Sequence, residues 1–391
     1  YGVAIRNIKR GIPAPLCGMY DNWFVDGLGA AIRSELWACL APGNPELAAK
    51  FAYEDACVDH AGNGVYAEQF LAALESQAFI ESDLRKLIET GLACIPAESA
   101  LARAIRDTIA WCENGTPETV RAEIMKHCGS ANFTDVKMNL PFMVMALLLG
   151  NGDFGKTICL AVNCGQDADC TGATVGAIFG LINPELVSGE WLRPIGRTLV
   201  VSKEITGIQP PATLDEFTDL VVALKDKVSL KQTPVLPFDL KPFAIRAKRS
   251  VFRPWFAEDY RKFKPVPAAD AKEILLPGNL TTVDFTALPG ESLMMLETEF
   301  HLTSDRTIRL LVNTPANMLV WVDGEFRFGR ECGVMVPAFH RAPQNQLAEL
   351  ELKSGTHKLV IGLAPASPEM KSAELLFGVA DTRNQWIPDA F

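Results

Sequence analysis

Partway along this chain the hydrophobic period changes, and no single core can satisfy both halves. From Gly27 to about Leu224 apolar residues recur at helical spacing, whereas from Leu293 onward they alternate in short runs. A helix repeats its face every 3.6 residues and a strand every two. The chain must therefore fold as a helical part and a separate β part. Its length agrees, since 391 residues exceed what one core of ~150 residues usually organises.

In the helical part, Asn44-Pro45 and Thr116-Pro117 each set a capping side chain before a proline at the first helical position. Ser82 with Leu84, Arg85, Leu87 and Ile88 opens another helix, and Ser99 to Trp111 carries Leu101, Ile105, Thr108 and Ile109 at 3.6-residue spacing. Met138 to Leu149 is apolar nearly all round, which marks a central helix buried by its neighbours. Between 228 and 264 the period disappears among Pro234, Pro237, Pro242, Pro254, Lys241, Arg246, Lys248 and Arg249, as in a linker. Beyond it, Leu293 to Leu302, Thr307 to Asn313, Met318 to Val322, Leu347 to Leu352, His357 to Leu363 and Glu374 to Val379 read as strands. Asp323-Gly324 and Ser354-Gly355 lie between such runs as hairpin turns. The expected architecture is thus multi-domain: an all-α bundle over 1–227, a linker over 228–264, and an antiparallel, jelly-roll-like β-sandwich over 265–391. Trp321, between Val320 and Val322, fits either the core of that sandwich or a sugar-stacking surface, and the module itself is read as carbohydrate-binding or structural.

Charge narrows the partners. A formal net charge of −10 repels nucleic acid and anionic membranes, so neither is an expected partner. The longest apolar stretch falls short of the ~20 residues of a membrane span. Ten cysteines without a CxxC pair, nine of them at or before Cys170, suit free thiols in a reducing compartment. A cytoplasmic location is expected, with a periplasmic or secreted one as the alternative because Tyr1 shows no targeting segment. A homo-oligomer is compatible with these properties.

The chemistry concentrates in Asn163-Cys164-Gly165-Gln166-Asp167-Ala168-Asp169-Cys170-Thr171-Gly172. Carboxylates two apart diverge on a regular helix, so Asp167 and Asp169 converge only across an irregular turn, which Gly165 permits. Gly172, Gly176 and Gly180 then form a stripe that lets another backbone approach. Asp167, Asp169 and Thr171 offer the hard oxygens that magnesium prefers. The competing reading makes Asp169 a helix cap and Asp167 a solvated side chain. Asp55 and Asp59, four apart, read as one helix face whose repulsion calls for a cation or a donor-rich ligand opposite.

The run from Gly165 to Ile178, preceded by Gly152-Asp153-Phe154 and Ala161-Val162-Asn163, resembles the C-terminal acidic motif of ADP-ribosylglycohydrolases. Asp26 to Arg33 is similar to the family's glycine-containing segment beside the substrate, and Asp55 to Tyr66 to the segment whose histidine lies by the ligand. The resemblance extends over residues 1 to about 225. It implies a glycosidic-bond hydrolase using one or two Mg2+ ions, with Asp167 and Asp169 as catalytic residues and, with Thr171, as metal ligands. Gly27, Gly29, Arg33, His60, Asn63 and Gly64 would contact the substrate. Cys170 stands where the family has a hydroxyl, a soft donor for magnesium. The family's other acidic motif, an Asp-Asp-Thr-like run, does not occur in this sequence, and the resemblance implies that it precedes Tyr1. Expected substrates are ADP-ribose on a small molecule or a protein. A free glycan or glycoside is one alternative, and a catalytically inactive ADP-ribose- or glycan-binding protein is another.

Overall fold

A computed structural model describes residues 1–203, 205–230, 238–241, 243–252, 265, 270–341 and 347–391. By contacts the chain divides into two compact units, Phe24–Leu236 and Tyr1–Trp23 together with Pro237–Phe391. In chain order the helices are α1 (Gly2–Lys9), α2 (Leu16–Met19), α3 (Ser34–Leu40), α4 (Pro45–Ala56), α5 (Asn63–Ala78), α6 (Leu84–Ala93) and α7 (Ala100–Cys112). They continue as α8 (Pro117–Cys128), α9 (Val136–Leu149), α10 (Phe154–Asn163), α11 (Ala168–Ile182), α12 (Gly189–Ile195) and α13 (Leu214–Leu224).

Helices α3 to α13 make the first unit. Their starts are chemically marked: Asn44 Oδ1 accepts from Leu47 N at 3.2 Å, the Ser99 side chain accepts from Ala102 N, and Thr116 and Thr119 cap each other reciprocally. The α6 cap is Asp83, whose Oδ1 accepts from Arg85 N at 2.9 Å. Helix α9 is buried on every side along most of its length and is the centre of the bundle, as its all-round apolar sequence requires. Leu140, Met143, Val144 and Leu147 pack with Phe70, Leu71 and Leu74 of α5 and Leu101 and Ile105 of α7, while Met138, Phe142 and Met145 meet Val120 and Ile124 of α8. Each such side chain contributes about 1.5–3 kcal/mol relative to exposure.

The second unit is a sandwich of antiparallel strands. These are β1 (Ile245–Phe252), β2 (Lys272–Leu276), β3 (Leu280–Asp284), β4 (Leu293–Leu302), β5 (Arg306–Asn313), β6 (Asn317–Val322), β7 (Glu325–Arg330), β8 (Leu347–Leu352), β9 (Gly355–Ala364) and β10 (Ser372–Ala380). One sheet has the order β2-β1-β4-β9-β6-β7 and the other β3-β10-β5-β8. Their inner faces meet where Leu296, Val320, Leu359 and Ile361 pack against Ile308, Leu310, Leu375 and Phe377. Trp321 is fully buried with Leu293, Met295 and Val360, so it is a core residue and offers no surface for a sugar.

Several details differ from the sequence reading. Asp323-Gly324 does close the β6–β7 hairpin, with both residues in the left-handed region. Ser354-Gly355 does not close one: β8 pairs with β5 and β9 with β4 and β6, so this turn carries the chain from one sheet to the other. Strand β1 lies inside the stretch expected as a linker, its alternation hidden by Arg246, Lys248 and Arg249 on the exposed or half-exposed positions. Of that stretch, 231–237, 242 and 253–264 lie outside the described residues. Residues 1–23, expected in the helical domain, pack with the sandwich. Arg6 and Asn279 are both buried there, and Arg6 Nη1 donates to Asn279 Oδ1 at 3.1 Å.

Candidate active site

The acidic pair is shaped by the turn between α10 and α11. Gly165 and Gln166 both adopt the left-handed conformation, at φ of 75° and 63°. Glycine does so freely, whereas for Gln166 it costs about 1–2 kcal/mol, which the surroundings must offset. Arg121 Nε donates to Cys164 O at 2.9 Å, and Asp167 N donates to Asn139 Oδ1 at 3.3 Å. Asn139 is itself fixed, since its Nδ2 donates to Phe133 O at 2.8 Å and Asp135 O at 2.9 Å. The outcome is convergence: ligand atoms of Asp167, Asp169 and Cys170 all lie within 4.8 Å of one another. Asp167 is buried, Cys170 half-buried and Asp169 exposed. Asp167 occupies the N-cap position of α11, yet its side chain makes no capping hydrogen bond. Burial, together with the Asp167 and Asp169 carboxylates, pushes the Cys170 thiol up to about 12.

Thr171 does not complete the set. Its hydroxyl is buried and donates to Ala168 O at 3.1 Å and Ala161 O at 3.5 Å, so it fastens α11 to α10. The residue one position earlier, Cys170, is the third member instead. The glycine stripe works in part: a Cβ on Gly172 would sit 2.8 Å from Val162 Cγ2, and one on Gly176 would sit 3.4 Å from Ile158 Cδ1, whereas one on Gly180 would meet nothing within 4 Å among the described residues.

A second group gathers at the N-terminal end of α9. Gly27 pairs with Asp135 in an isolated antiparallel bridge, and a Cβ placed on it would lie 3.6 Å from Thr134 Oγ1 and 3.7 Å from His60 Nε2. Gly64 presses against Val25 O so closely that no side chain fits, and it also borders the His60 ring. Gly27, His60 and Gly64 are therefore brought together, and Asp135 and Asn139 connect them through hydrogen bonds to the backbone of Asp167.

Three of the expected substrate contacts are committed elsewhere. Arg33 Nε donates to Asp55 Oδ2 at 2.9 Å, its Nη2 to Asp59 Oδ1 at 3.1 Å, and its Nη1 to the Gly29 carbonyl at 2.9 Å. Both Arg33 and Gly29 thus belong to an internal knot. Helix α4 ends at Ala56, so Asp55 and Asp59 do not share a helix face. What holds the two carboxylates near each other is the Arg33 fork. Burial works against the charge on Asp59, but hydrogen bonds from His60 and Arg33 prevail and hold it down at about 2. Asn63 Oδ1 accepts from Leu101 N at 3.1 Å and so ties the start of α5 to α7.

The sequence reading passed over two further sets. Lys137 pairs with Asp26 and, at 3.3 Å, with Asp135, directly beside the Gly27 bridge. The only sequence signal was Asp135, a cap residue preceding the apolar helix. Glu68 and Glu75, seven apart on α5, are fully buried, and no side-chain oxygen of either makes a hydrogen bond among the described residues. Burial and the Asp55 charge raise the Glu68 carboxyl to about 10 against the opposing pull of Arg33, which lies 3.8 Å away.

Among solved structures, the chain is similar to a β-glucosidase from Kluyveromyces marxianus at 9% identity, over 35% of this chain and 15% of that one, with a TM-score of 0.24. It is also similar to a GH31 alpha-xylosidase from Xanthomonas citri at 12% identity, over 35% and 16% of the two chains, with a TM-score of 0.17. A family GH115 4-O-methyl-alpha-glucuronidase matches at 12% identity, over 87% of this chain and 48% of that one, with a TM-score of 0.19. These scores are too low to carry an argument. No curated protein matches the chain. A model of the ADP-ribosylglycohydrolase family, however, matches residues 2–225, which include both the converging acidic turn and the His60 group. By that match, over more than half of its length, the chain belongs to the ADP-ribosylglycohydrolase family.

Proposed function

We propose that the chain hydrolyses the bond at the anomeric carbon of a ribose or related sugar, with a divalent cation, magnesium, held by Asp167 and Asp169. ADP-ribosyl groups on a protein or small molecule are the substrates this reading favours. The observation that carries it is the convergence of the Asp167 and Asp169 carboxylates with Cys170, across a strained turn. Two adjacent carboxylates fit a hard cation that keeps much of its water, while the sulfur of Cys170 is a poor third donor for it. When bound, the ion would orient sugar hydroxyls and acidify a coordinated water. The protein's own part is positional. Asn139 fixes the backbone of Asp167, Gly27 and Gly64 keep side chains away from His60, and Asp167 and Asp169 supply negative charge where an oxocarbenium-like transition state gains positive charge.

Calorimetric titration of the full chain with magnesium tests this, alongside release of ADP-ribose from an ADP-ribosylated peptide. Saturable binding that disappears in Asp167→Asn and Asp169→Asn is the expected result. A chain that binds no magnesium but still binds ADP-ribose would be a recognition module, and the proposal would be abandoned.

A further inference from the structure

His60 Nδ1 lies 2.8 Å from Asp59 Oδ1, and both side chains are buried. We infer that Asp59 is a positioning residue that holds His60 in the tautomer protonated at Nδ1, so that Nε2 meets a ligand as a hydrogen-bond acceptor for a hydroxyl. The argument begins behind the pair. Arg33 Nη2 donates to the same Asp59 Oδ1 at 3.1 Å and Nη1 approaches Oδ2 at 3.3 Å, so the carboxylate is gripped by a guanidinium on both oxygens. Arg33 is held in turn by Asp55, whose Oδ2 also accepts from Trp37 Nε1 at 3.0 Å. An ionised carboxylate only accepts, so the imidazole nitrogen facing it must carry a proton. The opposite tautomer would set the Nδ1 lone pair against the Asp59 oxygen at hydrogen-bond distance, which is repulsive.

In the neutral ring the lone pair is then on Nε2. That atom has no hydrogen-bond partner among the described residues and lies 3.7 Å from where a Cβ on Gly27 would sit, so the glycine leaves it without a side chain pressed against it from that position. A lone pair there welcomes a sugar hydroxyl and repels a phosphate oxygen. The ligand identity rests on the hydrolase reading above, whereas the tautomer does not depend on turnover.

Long-range proton–nitrogen correlation spectra of the full chain, with histidine labelled by nitrogen-15 at neutral pH, read the tautomer directly. The chain has five histidines, and His60→Gln identifies the relevant signals by their loss. The expected wild-type pattern for His60 is a protonated, pyrrole-like Nδ1 and an unprotonated, pyridine-like Nε2. In Asp59→Asn, whose amide can donate to Nδ1, the pattern should move toward the Nε2-protonated form. A wild-type spectrum with the proton on Nε2 overturns the inference, as does an unchanged pattern in folded Asp59→Asn. Should that variant not fold, the wild-type spectrum alone still decides. An inactive chain with the expected tautomer removes the hydrolase reading and leaves the positioning role intact, and an active chain with the opposite tautomer does the reverse.

Discussion

Arg6 and Asp21 form an ion pair inside the sandwich unit, Nη2 to Oδ2 at 2.9 Å, with side chains 0% and 3% exposed. Asp21 also accepts from Asn279 N at 3.0 Å and Leu280 N at 2.7 Å, and the Arg6 guanidinium lies 4.7 Å from the centre of the Trp386 ring. Burial lowers Arg6 to about 10 even though Asp21 opposes the shift, so this cation depends on its partner. Removing one member of a buried pair leaves the other charge uncompensated, at about 3–5 kcal/mol. Arg6→Ala should therefore lower the stability of the sandwich unit by that order in denaturant titration. A loss below about 1 kcal/mol would mean that water reaches the pair.

Glu68 gives a pH-dependent expectation. Its folded carboxyl titrates near 10 and its unfolded one near 4.5, so the folded state keeps a proton that the unfolded state gives up. Stability consequently falls as pH rises between those two values. Glu68→Gln removes the titration, and its advantage over the wild type should widen from pH 5 to pH 9 by up to roughly 1.4 kcal/mol per pH unit. Parallel Tm curves for the two proteins would show that Glu68 is ionised in the folded state.

These two cases also show what the sequence concealed. Local chemistry was legible. Asn44, Ser99 and Thr116 cap the helices they precede, and β4 and β8 have the limits their alternation suggests, because caps and alternation depend on near neighbours. The convergence of Asp167 and Asp169 was legible too, since the permissive Gly165 is adjacent in sequence. The two backbone donors to Asp21, Asn279 N and Leu280 N, lie more than 250 residues away along the chain, and nothing local distinguishes it from an ordinary turn aspartate. Arg33, Asn63 and Thr171 carry the right groups for a site but spend them on Asp59, Leu101 N and Ala168 O, choices made by packing rather than by spacing. Glu68 and Glu75 read as polar positions, yet seven residues are nearly two helical turns and set both on the buried face.

The glycines of α11 predict opposite responses along one helix. Among the described residues nothing lies within 4 Å of a Cβ on Gly180, so Gly180→Ala should stabilise the helix by roughly 0.5–1 kcal/mol. At Gly172 the added methyl would meet Val162 Cγ2 at 2.8 Å, and Gly172→Ala should cost about 1–3 kcal/mol as α10 and α11 are pushed apart. Thermal melts of the two variants compare them directly. A stabilising Gly172→Ala would show that the two helices separate without penalty.

His357 in β9 supplies a stabilising contact whose pH dependence has the same sign as that of Glu68, stability falling as pH rises. Nδ1 lies 2.8 Å from Asp323 Oδ2 and Nε2 lies 2.8 Å from Lys353 O, so both ring nitrogens face acceptors and the doubly protonated ring satisfies both. Burial pulls the pKa of His357 down, but the Asp323 and Lys353 oxygens outweigh it and raise the group above its ordinary 6.5. With the folded value raised, the contribution is complete below the unfolded pKa and disappears as pH climbs through the folded one. Asp323 sits at φ 54° in the β6–β7 turn, a conformation asparagine also tolerates, so Asp323→Asn removes the charge and keeps the turn. The variant should lose about 1 kcal/mol or less at pH 5.5 and nothing measurable at pH 9, because a partly exposed pair is weakened by solvent. Equal losses at both values would mean that Asp323 acts through its hydrogen bond to Lys358 N, at 2.9 Å, and that His357 is neutral throughout.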